Sequence, residues 1–542
     1  MQGIDNYTLE VLETMEKAGK QCLPLSGNFS YKKHKPIPGW NEHLKSYAEE
    51  SKFWNSVWLS AGKPHTGDLY LNMKQSRKQF KFAVRRLKRC SDKILNENLA
   101  NSLLNEGGNI FQEIRKLRGK TTNFSSRIDD KIGVHEIANH FASGYDELYN
   151  NINLGNKFES IKNRVLLEVN EASQYQYSRI TETVISKAMN MLKPKKNDAI
   201  YDITSDFYLN GPPELVYHMT NLLRLFFSHG YVPESVLLCT LAPLIKDNLG
   251  DITLSSNYRA IAGGCLLLKL IDLVVLILEG DKLDFDTMQF AYQVKSSTTM
   301  CSWTATAVID HFNERGSSVF GASMDMSKAF DMVDWHELFK TLLDRKVDVL
   351  FLRLILYVYK NQQCCVKWNG VCSKKFGVQN GVRQGAVSSG IFFAIYIDKL
   401  LKILRKTGLG CHIHGVFYGA LIYADDIILL SASRSGLQAM VNVCQEFVSS
   451  RNLKFGTNKD PAKSKTKCIL FTKKKFRTEE ILPICLDGDR LPWVSDVKHL
   501  GHILQSDNSM KLDIALKRGA YIGKVNSLLP EFNSVSPKFS LS

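Results

Sequence analysis

Residues 420–430, ALIYADDIILL, set two adjacent carboxylates, Asp425 and Asp426, inside an otherwise apolar run. Taking one carboxylate out of water costs on the order of several kcal/mol even after relaxation, and a second beside it adds repulsion. A compensating cation is therefore expected. A third acid, Asp325, closes the short run of small and apolar residues 317–325. With ALIY and IILL as the arms of a hairpin beside that run, the three carboxylates converge at one sheet edge. Oxygen-only ligands without His or Cys select a hard cation, and Mg2+ keeps positions open for water and substrate phosphates. Two such ions about 3.5–4 Å apart activate an attacking hydroxyl and stabilise a leaving pyrophosphate in an in-line displacement. The chemistry implied is nucleotidyl transfer. Taken singly each signal is weak, since paired Asp at a hairpin tip is ordinarily turn chemistry. The assignment rests on their company.

The chain that must position these acids has 542 residues, 44% hydrophobic and 23% charged, which suits several packed subdomains and excludes a disordered polymer. Its formal charge of +16 favours a polyanionic partner, nucleic acid or an acidic membrane surface. The N-terminus is charged from the start, with no apolar core for a secretory signal, so the protein is expected inside the cell, in cytoplasm and nucleus. The most apolar window, 261–278, carries Lys269 and Asp272 at its centre, which argues for a buried helix and against a membrane span. The twelve cysteines show no zinc-ligand spacing and read as reduced packing residues.

Along the chain, residues 73–89 read as a basic amphipathic helix. Lys74, Lys78, Lys81, Arg85 and Lys88 recur at helical spacing while Phe80, Val84 and Leu87 share another face. A solvated charged face and direct RNA contact explain that pattern equally well. Residues 111–119 predict a second short helix with Gly119 as its stop, and 213–230 a helix from Pro213 to Gly230. Residues 237–248 and 317–325 predict strands, 328–346 a helix, and 389–402 another that packs in the core.

Three stretches occur in order with domain-scale gaps: MDMSKAFD (324–331), NGVRQGAVSSGIFFAIYID (380–398) and YADD (423–426). Together they resemble motifs A, B and C of the reverse transcriptases of non-LTR (LINE-type) retrotransposons. The resemblance extends to PLIKDN, NYRAI, KNDAIYDITSDF and QFAYQVKSSTTM in the fingers, to residues 453–471 as motif D and to VKHLGHIL as the primer-grip hairpin. IPGWNEHLKSYAEES and the basic helix after it are similar to the linker that precedes the polymerase in such elements.

That resemblance implies an α/β (α+β) right-hand polymerase. A basic helical region would occupy 1–175, fingers and palm 176–475 with the palm from about 311, and a primer-grip hairpin with a partial thumb 476–542. Asp325, Asp425 and Asp426 would bind two Mg2+ ions, with Mn2+ as the alternative. Phe330 would lie under the incoming sugar and reject a 2′-hydroxyl. The backbone at Lys328 and Ala329, opening a helix, would cradle the triphosphate, which Lys246 and Arg259 would clamp. Arg383, Gln384 and Gly385 would face the nucleotide and template, and Lys465 would protonate pyrophosphate, with Lys463 and Lys467 close enough to compete for that role. The partners implied are RNA template, DNA primer, dNTPs and other proteins of the element. Ala260, Gly390, Ala386 and Ala291 depart from residues common in the family, which predicts looser fingers and a looser motif B turn. The chain is expected to be a fragment without the family's endonuclease. A catalytically inactive RNA-binding remnant is the alternative reading, and a maturase-like splicing partner a third.

Overall fold

The computed structural model describes residues 1–22, 44–90, 125–150, 155–171, 179–247, 250–383, 386–458, 460, 463–474 and 481–533. The helix expected at 111–119, and Gln384 and Gly385, lie outside them. The chain divides into two compact units, one of residues 25–124 and 515–542, the other of 1–24 and 125–514. The boundary expected at 175 does not coincide with this division.

In the first unit, α1 (Lys45–Ser60) and α2 (Asp68–Arg89) form a helical pair. Leu87 packs with Leu44, Ala83 and Val84. Lys74, Lys78, Lys81, Arg85 and Lys88 are all exposed, so the basic face predicted from the spacing is present.

The second unit is built on two sheets. One combines β1 (Leu238–Ile245), antiparallel β2 (Tyr258–Gly264) and β4 (Gln363–Trp368), the last running parallel to β1. Helix α3 (Val134–Tyr149) packs on it, burying Ile137, Phe141 and Tyr149 against Leu241, Tyr258 and Trp368. The central sheet has the order β5 (Ala420–Tyr423), β6 (Asp426–Ser431), β3 (Val319–Asp325), β7 (Lys467–Phe471) and β8 (Trp493–Val494). Every pairing is antiparallel except β7 with β8. Ile427 to Leu430 are fully buried, because helices cover the sheet and leave no solvent face for alternation.

Those helices include α6 (Thr298–Glu314) and α10 (Arg434–Ser449), and α9 (Ser389–Lys406) packs on α10. Helix α4 (Pro213–His229) starts on proline and stops where Gly230 turns left-handed at φ 59°, as its sequence predicts. The apolar window at 261–278 divides between the end of β2 and the buried helix α5 (Leu266–Glu279). Among the described residues no helix is long and apolar enough to cross a membrane.

One local expectation fails at a boundary. Helix α7 spans Trp335–Asp344 and packs on α8 (Val349–Asn361), whereas residues 328–334 form turns instead of its first two turns. Asp334 accepts a hydrogen bond from His336 N and caps the helix there, and Lys328 sits at φ 52°, outside helical geometry. A strand, β9 (Asp496–His499), pairs with β10 (His502–Gln505) near the end of the unit.

Candidate active site

The hairpin β5–β6 is closed by Ala424 and Asp425, since Tyr423 pairs directly with Asp426. Ala424 holds φ 58°, a left-handed conformation that costs a non-glycine residue about 1–2 kcal/mol. That turn carries Asp425 to the tip. In the next ladder Asp426 stands directly opposite Asp325, and opposed residues on neighbouring strands project to the same face. Acids separated by a hundred positions are thus neighbours, as the nucleotidyl-transfer reading requires.

The Asp325 backbone is held from the far side: Gly456 N donates to Asp325 O at 2.8 Å and Ser327 N to Lys454 O at 3.0 Å. A Cβ at Gly456 would come within 3.2 Å of Asp325 Oδ2 and of the Lys465 side chain, so the close approach suits glycine. Lys465 Nζ lies 3.6 Å from Asp325 Oδ2. Of the lysines near it, Lys463 pairs instead with Asp460 at 3.6 Å and Lys467 belongs to β7.

The electrostatics follow from this crowding. Burial and then the Asp425 and Asp325 charges push the Asp426 carboxyl up to about 6. Burial and Asp325 also raise Asp425, against the pull of Arg259. The site therefore carries unfavourable negative charge at neutral pH, which a cation relieves.

Asp325 and Asp425 open into a cavity of about 1020 Å3. Its wall includes Lys246, Arg259, Lys328, Ala329, Phe330 and Lys465. Lys246 has its ammonium pKa lowered by burial and by repulsion from Arg259, Lys465 and Lys328, which shows the four cations sharing one space. Helix α3 supplies the opposite wall with His140, Tyr145 and Tyr149 among others. Tyr149 donates through its hydroxyl to Asp331 Oδ1 at 3.1 Å, and its carbonyl accepts from Gln379 N and Asn380 N. Sequence reasoning assigned this helix no part in the site; Phe141 and Tyr145, packed on the β1–β2–β4 sheet, were the available signal.

Segment 330–335 is stitched to 380–382. Val382 N donates to Phe330 O at 2.8 Å, Asn380 Nδ2 to Asp331 O at 2.7 Å and Trp335 Nε1 to Gly381 O at 2.8 Å. Gly381, at φ 85°, has Asp331 O within 2.7 Å of where a Cβ would stand. The Phe330 ring, half-buried, stacks on Phe393 of α9 with centroids 4.4 Å apart.

Several expected roles change. Arg383 does not face the cavity: its side chain is 10% exposed and pairs with Asp272 at 3.4 Å. The buried Asp272 carboxylate on α5 needs a countercharge, and Arg383 provides it. Lys328 and Ala329 line the cavity but open no helix, because α7 begins only at Trp335. Three of the positions that depart from common family residues are packed. The Tyr292 ring lies where a Cβ on Gly390 would come within 2.3 Å of it, Ala260 is buried in a regular β2, and Ala291 is buried.

The all-carboxylate donor set, the raised pKa values of Asp425 and Asp426 and the adjoining cation-lined cavity fit hard divalent cations. Among the described residues no three Asp, Glu, His or Cys side chains are grouped closely enough to hold a metal ion as they stand. The fit therefore rests on register and charge.

Residues 246–504 match the family described as reverse transcriptase (RNA-dependent DNA polymerase). The chain is 24% identical over 244 residues to the Retrovirus-related Pol polyprotein from a type-2 retrotransposable element of Drosophila melanogaster, covering 44% of this chain and 22% of that protein. It is 26% identical over 279 residues to an uncharacterized 149 kDa protein of transposon TX1 of Xenopus laevis, covering 49% and 20% respectively. A type-1 retrotransposable element of Nasonia vitripennis encodes a Pol polyprotein that is 24% identical over 234 residues, 42% of this chain and 22% of that one. The chain thus spans about a fifth of the length of these relatives.

Proposed function

We infer that this chain, whose residues 246–504 are a reverse transcriptase domain of the non-LTR retrotransposon kind, catalyses RNA-directed DNA synthesis. The observation that carries the reading is the pairing of Asp426 with Asp325 beside a cavity lined by four cations. Asp325, Asp425 and Asp426 would hold Mg2+ or Mn2+, which when bound activates the primer 3′-hydroxyl and stabilises the leaving pyrophosphate.

The protein's own groups do the rest. Lys246 and Arg259 pair with the triphosphate of the incoming dNTP through charge-assisted hydrogen bonds, and Lys328 adds charge at the same wall. Phe330, backed by Phe393, occupies the space a ribose 2′-hydroxyl needs. Lys465, already within reach of Asp325, delivers a proton to pyrophosphate as it departs. Residues 238–264 with 363–377 act as fingers, the central sheet as palm, and 496–505 as primer grip. The template is RNA and the primer DNA. The net charge of +16 supports nucleic acid as the partner; the place of action would be cytoplasm and nucleus, alongside other proteins of the element.

Primer extension from oligo(dT) on poly(A) with Mg2+ tests this. Asp425→Ala should lower incorporation by at least about 10²–10³-fold, the loss typical of one preorganised electrostatic group. Incorporation that survives the substitution rejects the assigned site. No incorporation by either protein, with retained RNA binding, supports the inactive RNA-binding reading, for which the exposed basic face of α2 is the motivating feature.

A further inference from the structure

The segment Met288–Tyr292 runs along the open edge of β5. Phe290 N donates to Ile422 O at 2.8 Å and Ile422 N to Met288 O at 2.8 Å, so the segment adds a short rung to the central sheet. Between them Gln289, fully buried, turns its side chain toward the hairpin tip. Gln289 Oε1 accepts from Ala424 N at 3.0 Å and from Ala291 N at 3.1 Å. Among the described residues its buried Nε2 has no hydrogen-bond partner.

Half of this amide is therefore left unsatisfied in the interior, where an apolar side chain of the same length would avoid the penalty. What an apolar side chain cannot do is accept from the amide of Ala424. That residue is in the left-handed region, a conformation that persists only where its surroundings over-determine it. The next two residues are Asp425 and Asp426. A few degrees of rotation at Ala424 would shift both carboxylates relative to Asp325, which is fixed separately through Gly456. Tyr292, three residues after Gln289 and packed against Gly390, also feels the Asp425 charge.

We propose that Gln289 is a positioning residue that sets the Asp425–Asp426 turn against Asp325 and so determines how tightly the site binds divalent cations. The proposal rests on the polymerase reading above. It is tested on the full chain with Gln289→Met, which keeps the volume and loses the acceptor, and Gln289→Glu, which keeps an acceptor oxygen, beside Asp425→Ala. Free Mn2+ is counted by electron paramagnetic resonance, the Mg2+ concentration for half-maximal primer extension is titrated, and thermal unfolding is recorded. Gln289→Met should weaken Mn2+ binding and raise the Mg2+ requirement by about tenfold, one hydrogen bond's worth, while unfolding cooperatively. Gln289→Glu should stay within about threefold of the parent on both readouts.

Parent-like Mn2+ binding by Gln289→Met overturns the proposal and leaves the polymerase reading standing. So does equal weakening by Met and Glu, which would exclude the acceptor role. If the parent binds Mn2+ no better than Asp425→Ala, the metal-site reading itself fails and the proposal with it. Should Gln289→Met not fold, Gln289→Asn, whose shorter side chain withdraws the acceptor, decides the matter. Failure of both to fold makes Gln289 a core residue and overturns the proposal.

Discussion

Asp272 Oδ1 and the Arg383 guanidinium meet at 3.4 Å inside the protein, and the other Asp272 oxygen accepts from Val387 N at 3.2 Å and Ser388 N at 3.4 Å. One acid in the middle of an apolar helix thereby ties α5 to the segment leading into α9. Its presence in the window 261–278, which argued against a membrane span, has this packing as its cause.

Removing one partner of a buried ion pair strands the other charge, so Asp272→Ala and Arg383→Ala should each destabilise the fold by about 3–5 kcal/mol. Urea denaturation of the two variants and of the double variant measures this. The double variant should lose clearly less than the sum, because the stranded charge is then absent. An Arg383→Ala protein with parent-like stability and weakened template binding would return Arg383 to the role its sequence position suggested.

Phe330 and Phe393 stack with an interplanar angle of 17°, which fixes the ring proposed to face the sugar. Such a pair contributes about 0.5–1.5 kcal/mol beyond its buried area, equivalent to roughly 2–10-fold in a rate ratio. Phe393→Leu should therefore lower the preference for dNTP over rNTP by about 2–10-fold. Phe330→Val, which removes the obstructing ring itself, should lower it by about 10–200-fold, the span of a lost shape contact in a pocket. Single-nucleotide incorporation kinetics with matched dNTP and rNTP give the ratios. Unchanged discrimination in Phe330→Val would show that another group excludes the 2′-hydroxyl.

His499 in β9 is buried with its Nε2 3.9 Å from Cys301 Sγ in α6. Burial, and then the charge of His502, hold its pKa down at about 4, against 6.5 when unperturbed. The folded state keeps the ring neutral while the unfolded chain takes up a proton below about 6.5. The stability from His499 is thus complete above pH 6.5 and declines as the pH falls toward 4, by up to about 3 kcal/mol. Denaturation midpoints at pH 7.5 and pH 5 should fall more for the parent than for His499→Leu. Parallel losses in the two proteins would remove His499 as the cause.

Much of the candidate site is legible in the sequence. Asp425 and Asp426 stood out because two adjacent acids in an apolar run are costly, and Asp325 because it ends a short apolar strand. Pro213 and Gly230 marked α4 through their own backbone preferences. Other features were not readable for identifiable reasons. Residues 328–334 carry helical periodicity, yet the cap at Asp334 and the hydrogen bonds to 380–382 hold them as turns. Arg383 was expected to face the nucleotide from its place in the stretch that resembles motif B; its partner lies 111 positions away in α5. Helix α3 precedes the matched region, and its place in the cavity wall comes from rings that bury against β1, β2 and β4.

Hydrophobic period, capping residues and the adjacency of like charges are properties of neighbouring positions, so the linear chain already contained the helices, the strands and the need for a cation. The opposition of Asp426 to Asp325, the gathering of Lys246, Arg259, Lys328 and Lys465 in one cavity, and the hold of Gln289 on Ala424 arose only on folding. Each is a through-space relation fixed by strand register and by which buried group meets which partner. Coulomb and desolvation energies depend on those distances and not on sequence separation.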